Sequence, residues 1–178
     1  MTSQGREYGE ALYELARDEG LREEIMSQLA ELWRIMEEQP QFLQLLCSRA
    51  IERETRINIV DDTLKNQVHP YLLSFMKLLV EKERFGAFGD CVKWFKGRYN
   101  EDFRIVEASV TSAVPLPEEK IEALKAKLQE ISGRNVVLEL RVDPGVIGGI
   151  RVEMDGRRYD NTIQNRLDRL RHNLVNNL

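Results

Sequence analysis

Two histidines and two cysteines are all that this chain of 178 residues has to offer a soft metal. His69 and His172 lie far apart, with no cysteine or carboxylate at ligand spacing, so a metal site is not expected. Cys47 and Cys91 form no CxxC pair and fall inside apolar helical patterns, which reads as two reduced core thiols. No apolar run approaches the roughly 18 residues of a membrane span. No charged-then-apolar signal opens the chain, and Glu7, Glu10 and Glu14 argue against an acid-poor transit peptide; a mature cytoplasmic product is expected. A basic surface is missing too: residues 1–104 carry 15 Lys/Arg against 19 Asp/Glu, and residues 105–178 carry 11 of each. Nucleic acid is therefore not expected as a partner.

Motifs for chemistry are equally scarce. There is no GxSxG elbow to make Ser48 and His69 more than a chance pair. Asp61-Asp62 and Glu118-Glu119 are adjacent residues that point to different sides of a helix. Gly148-Gly149 is the one glycine pair, but it leads into a strand rather than a helix and no Lys follows. Close backbone packing or a bulge explains it better than a phosphate cradle. Arg157-Arg158 reads as a solvated hairpin arm. No cofactor and no catalytic residue are expected.

What the chain does have is apolar periodicity. Residues 5–20 put Tyr8, Leu12 and Leu15 on one helical face with Ala11 beside them, and Gly20 stops the helix. Ile25, Leu29, Leu32 and Met36 repeat the stripe over 21–36, widened by Met26 and Trp33. Pro40 then permits a short helix carrying Phe42, Leu43, Leu45 and Leu46, and Ile57, Val60 and Leu64 mark a fourth over 52–66. Pro70 opens a fifth, running to about Arg84, and Phe85, Phe88, Val92, Phe95 and Tyr99 form the seam of a sixth. The fifth is unusual: Leu72, Leu73, Phe75, Met76, Leu78, Leu79 and Val80 cover roughly 220° at 100° per residue, whereas one core needs a stripe nearer 100° wide. Either that helix is central in its bundle or it keeps a second apolar face for a partner, and the two are compatible.

The pattern changes near Phe103. Val106, Ala108, Val110, Ser112 and Val114 alternate as a strand, and Pro117-Glu118-Glu119 starts a helix with Ile121, Leu124, Leu128 and Ile131 as its buried stripe. Gly133 caps it, and Val136, Leu138, Leu140 and Val142 alternate as the next strand. After the Asp143-Pro144-Gly145 turn come a strand from Ile150 to Met154, an Asp155-Gly156 hairpin and a return strand Arg157-Arg158-Tyr159. Asp160 can cap a last helix striped by Ile163, Leu167, Leu170 and Leu174, with Arg166, Arg169 and Arg171 opposite. The predicted fold is α+β in two domains. Residues 1–104 form a six-helix bundle; residues 105–178 form a small α+β domain with a short sheet and two helices.

These motifs taken together resemble the delta subunit of F-type ATP synthase, the bacterial relative of the oligomycin sensitivity conferral protein. Tyr8 to Ala16 (YGEALYELA) is similar to that family's opening YAxALFELA, and Phe75-Met76-Lys77-Leu78-Leu79 through Arg84 to its FLxLLxxxxR helix. Val110 to Leu116 resembles VxSAxPL, Gly133 to Val136 resembles GKxV, and Val142 to Ile150 resembles VDPxxIGGI. Asp160, Ile163, Arg166 and Leu167 resemble DxSIxxRL, with Thr162 in place of the serine. Departures are Ser48-Arg49-Ala50-Ile51 for SPxI, Arg56 for the following lysine, and Gly9 for the first-motif alanine.

The resemblance implies a non-catalytic stator subunit, present once in its complex and peripheral at the cytoplasmic face of a bacterial membrane without inserting into it. It implies that the N-terminal bundle receives amphipathic N-terminal helices of the alpha subunits of the catalytic head. The C-terminal domain would hold the b subunits of the peripheral stalk. Candidate residues for the head groove are Tyr8, Ala11, Leu12, Leu15, Phe75, Leu78 and Leu79; those for the stalk side are Gly148, Gly149, Asp160, Ile163 and Leu167. Rival readings are a generic helical adaptor or a small nucleotide-binding protein using the Gly148-Gly149 turn.

Overall fold

The computed structural model describes residues 2–163 and 165. Two compact units, Met1–Tyr99 and Asn100–Leu178, divide the chain, five residues earlier than the change of periodicity suggests.

The first unit is helical: α1 (Ser3–Asp18), α2 (Arg22–Glu38), α3 (Pro40–Cys47), α4 (Arg53–Leu64), α5 (Pro70–Glu81) and α6 (Phe88–Asp102), with a 3-10 turn at Phe85–Ala87. Their starts follow local chemistry. Pro40 and Pro70 sit in the first turns of α3 and α5, where a missing N–H costs nothing. Thr2 Oγ1 accepts from Gly5 N at 3.1 Å to cap α1, and its own N–H donates to Asp90 Oδ2 at 2.7 Å, which staples α1 to α6.

All six helices feed one core. In α2 the expected stripe is the buried one: Ile25, Leu29, Leu32 and Met36. In α1 it is not. Gly5, Gly9, Leu12, Tyr13 and Ala16 are buried and fall within about 100° of arc at 100° per residue. Tyr8, Ala11 and Leu15 occupy the adjoining arc. The cause is the crossing with α6: a Cβ on Gly9 would stand 3.0 Å from the Cys91 carbonyl oxygen and 3.2 Å from Trp94 Cβ. Glycine lets the two backbones meet there without either having to shift. Tyr13 then fills the crossing, edge-on to Phe95 and Trp94 at 5.0 and 6.2 Å between ring centres. Cys91 belongs to this core, but Cys47, the last residue of α3, is exposed and is not the core thiol its sequence setting suggested.

The second unit begins at the end of α6 and continues with β1 (Ile105–Ser112), α7 (Glu118–Ser132), β2 (Asn135–Val142), β3 (Ile150–Met154) and β4 (Arg157–Asp160). The sheet order is β2-β1-β3-β4, with β1–β2 parallel and the other two pairings antiparallel. Val106, Ala108 and Val110 of β1 form its core with Val136, Val152, Met154 and Leu128 of α7. The expected α7 stripe is only partly buried. Leu128 is covered and Leu124 half-covered, whereas Ile131 is 60% exposed, because only two of the four stripe residues meet the apolar patch of so small a sheet. Val114 lies past the end of β1 and is exposed rather than part of the strand.

Candidate functional site

Five of the seven residues expected to form a head groove line one groove of about 500 Å³ between α1 and α5: Ala11, Leu12, Leu15, Phe75 and Leu78. Tyr8 does not line it and packs half-buried against the core. Leu79 is fully buried, because 100° of helix turn separates it from Leu78 and points it inward among Leu72, Met76 and Val80. Tyr71, Ser74, Lys77 and Glu81 complete the lining. Sequence reasoning passed over these four, although Ser74 and Glu81 stand four before and three after Leu78 on the same face.

The floor is apolar and the rim polar. Leu15 and Leu78 are each 38% exposed and are the large apolar side chains left exposed among the described residues of the helical unit. At the rim the Lys77 ammonium pairs with Asp61 of α4, and that contact, more than any other, holds the Asp61 carboxyl below its ordinary range. The wide arc of α5 thus has two uses: six of its seven apolar residues enter the core, and Leu78 is left over for the groove.

On the second unit, the Asp143–Gly149 loop packs on its own chain. Asp143 Oδ1 accepts from Gly145 N at 2.8 Å, starting a 3-10 turn at Pro144–Val146. Gly148 N donates to Val146 O at 2.7 Å around Ile147, whose φ of +64° and ψ of −38° make a strained γ-turn. Gly149 has φ +81°, and a Cβ there would lie 2.3 Å from the Asn161 carbonyl oxygen. A Cβ on Gly148 would meet Ile163 Cδ1 at 2.8 Å. Close backbone packing accounts for both glycines, and the space a phosphate cradle would need is filled by Asn161–Ile163.

Asp160 ties this region together. Its Oδ1 accepts from Thr162 N at 3.1 Å and Thr162 Oγ1 at 2.7 Å; its Oδ2 accepts from Arg151 Nε at 2.8 Å and Arg158 Nη2 at 2.9 Å. The Thr162 contacts, then the two arginines, hold its carboxyl well below the usual range. The cap itself is Thr162, whose Oγ1 accepts from Asn165 N at 3.2 Å, so Asp160 orients the capping residue rather than capping. Leu167, Leu170, Leu174 and the arginines expected opposite them lie outside the described residues.

The model of one protein family, described as the ATP synthase delta (OSCP) subunit, matches residues 5–174. The chain belongs to this family. The ATP synthase subunit delta of Myxococcus xanthus is 30% identical over 172 residues, covering 95% of this chain and 94% of that one. The ATP synthase subunit delta of the organellar chromatophore of Paulinella chromatophora is 34% identical over 164 residues, covering 92% and 90%. A chain of the Toxoplasma gondii mitochondrial ATP synthase hexamer shares the fold, with a TM-score of 0.72 at 18% identity and 98% of both chains covered. The family is a structural, non-catalytic subunit of ATP synthase. Among the described residues no helix is long and apolar enough to cross a membrane.

Proposed function

We propose that this chain is the stator link between the catalytic head and the peripheral stalk, with the α1–α5 groove as its head-side contact. The groove receives a short amphipathic helix from the N-terminus of an alpha subunit, whose apolar face replaces water over Leu15 and Leu78 while its polar face stays at the Lys77–Glu81 rim. The observation that carries this reading is that pair of exposed leucines on the floor of one groove. The second unit holds the C-terminal ends of the b subunits on the side built by Gly148, Gly149, Asp160 and Ile163, with Leu167 following. One copy per complex, held at the cytoplasmic face of the membrane by these two contacts, resists the torque that would otherwise turn the head with the rotor. Such work needs rigid, complementary surfaces and no reacting group.

The test is titration of the full chain with a peptide copying the amphipathic N-terminus of the cognate alpha subunit, read by tryptophan fluorescence. Trp94 reports on α1 because its ring packs against Tyr13. Saturation at one peptide per chain, lost in Leu15→Asp and in Leu78→Asp, is the expected result. Unchanged affinity in both variants, each folded by circular dichroism, would overturn the assignment. Leu12 and Leu79 are unsuitable for this test, since aspartate at 3% and 0% exposure would disrupt the core itself.

A further inference from the structure

Arg56, near the start of α4 and surrounded in sequence by charged residues, is only 3% exposed. Its guanidinium is a cation that offers only donors. Nε donates to the Ile51 carbonyl at 3.1 Å and Nη1 to the Leu46 carbonyl at 3.0 Å, both neutral acceptors. Among the described residues no carboxylate pairs with it, and a buried cation is ordinarily paired. Nη2 makes no hydrogen bond within the chain, yet among the described residues no buried side-chain nitrogen or oxygen is left unsatisfied. Nη2 is therefore not sealed from solvent, and Arg56 is one of the residues lining a cavity of about 200 Å³, with Leu46, Cys47, Arg49, Glu83 and Phe85. At the rim Arg49 Nε lies 3.4 Å from Glu83 Oε2, so those two charges cancel and the Arg56 charge remains. The cavity is smaller than the roughly 300 Å³ at which drug-sized ligands begin to fit.

We infer that this cavity is a binding site for a small oxyanion, a phosphate or a carboxylate, held from within by Arg56 Nη2 and from the rim by Arg49. Glu83 is its competitor: it occupies Arg49 while the cavity is empty and repels an incoming anion. The site is separate from the α1–α5 groove and does not depend on the reading given to it.

Cys47 supplies the reporter, since it lines this cavity and is exposed while Cys91 is buried. The rate of Cys47 alkylation by iodoacetamide is measured on the full chain as inorganic phosphate, or acetate, replaces chloride at constant ionic strength. A saturable slowing of threefold or more, on the order expected when a bound ion covers the thiol, supports the site. Slowing by phosphate alone assigns it to phosphate; slowing by acetate as well assigns it to carboxylates generally. Glu83→Gln removes the one acid of the cavity and should lower the half-saturating concentration about tenfold. Arg56→Gln should abolish the effect, and if that variant does not fold, wild type and Glu83→Gln still decide. Alkylation indifferent to both anions in wild type and in folded Glu83→Gln would overturn the inference.

Discussion

Leu15 of α1 and Leu78 of α5 line one groove with equal exposure, 38% each, while Leu12 and Leu79 beside them are at 3% and 0%. Each helix thus turns one leucine inward and its neighbour outward, which separates folding from docking. Leu15→Ala and Leu78→Ala should each change stability by less than about 1 kcal/mol while weakening peptide binding. Leu12→Ala and Leu79→Ala should cost about 2–5 kcal/mol, because a cavity opens in a filled core. Urea denaturation followed by tryptophan fluorescence checks both halves.

Gly149→Ala should be among the most damaging small substitutions in the second unit. The new methyl group would stand 2.3 Å from the Asn161 carbonyl oxygen on a backbone with φ +81°, and neither the clash nor the strain relaxes without moving the chain. A loss of about 2 kcal/mol or more is expected from these causes together. NMR line positions of Ile150–Met154 during a urea series measure it without interference from the helical unit.

Asp160 gives the second unit an acid-sensitive tie. Its carboxyl titrates lower in the folded chain than the ordinary value of about 3.9, so its contribution is complete above that value and is lost as pH falls below it. Asp160→Asn should lower the urea midpoint of the second unit at pH 7, and wild type and variant should converge as pH drops below about 4. The NMR signals of the Tyr159 ring, next in sequence, report that midpoint. A gap that stays constant with pH would contradict the role.

The two thiols should behave as different species. Burial, with a lesser push from the neighbouring Asp90 carboxylate, raises the Cys91 thiol to about 11; partial burial raises the Cys47 thiol too, but Cys47 is exposed and open to reagent. At pH 8 the native chain should lose one thiol quickly to a disulfide reagent and the second only after denaturation. Reaction of both at one rate would mean that the α1–α6 crossing opens readily.

Much of this was legible in the sequence, and the failures share a cause. Helix α2 could be read because every core position carries a large apolar side chain. Helix α1 misled because three of its five core positions are Gly5, Gly9 and Ala16, which carry no hydropathy signal, while Tyr8 and Leu15 on the adjoining arc do. Of the face read from the apolar residues, Leu12 enters the core, Leu15 lines the groove and Tyr8 packs half-buried against the core. Arg56 could not be foreseen, since a charged residue in a charged stretch looks solvated until the fold closes around it. The Gly148-Gly149 pair was legible as close packing, but its contact partners, Asn161–Ile163, come from a later turn that no local pattern reveals.

Strand β1 is central in its sheet, and both of its partners come later in the chain: β2 is complete only at Val142 and β3 at Met154. During synthesis, then, Val106, Ala108 and Val110 leave the ribosome with nothing to pair with until some thirty further residues have followed. The helical unit, which ends at Tyr99, has by then been synthesised in full, and N-terminal domains generally fold first during synthesis. The half-made second unit is the aggregation-prone interval in the life of this chain, with two strand edges unpaired and an apolar face open. Chaperones that bind extended apolar segments have their natural target here, and a truncation between Ser112 and Asn135 would leave that state permanent.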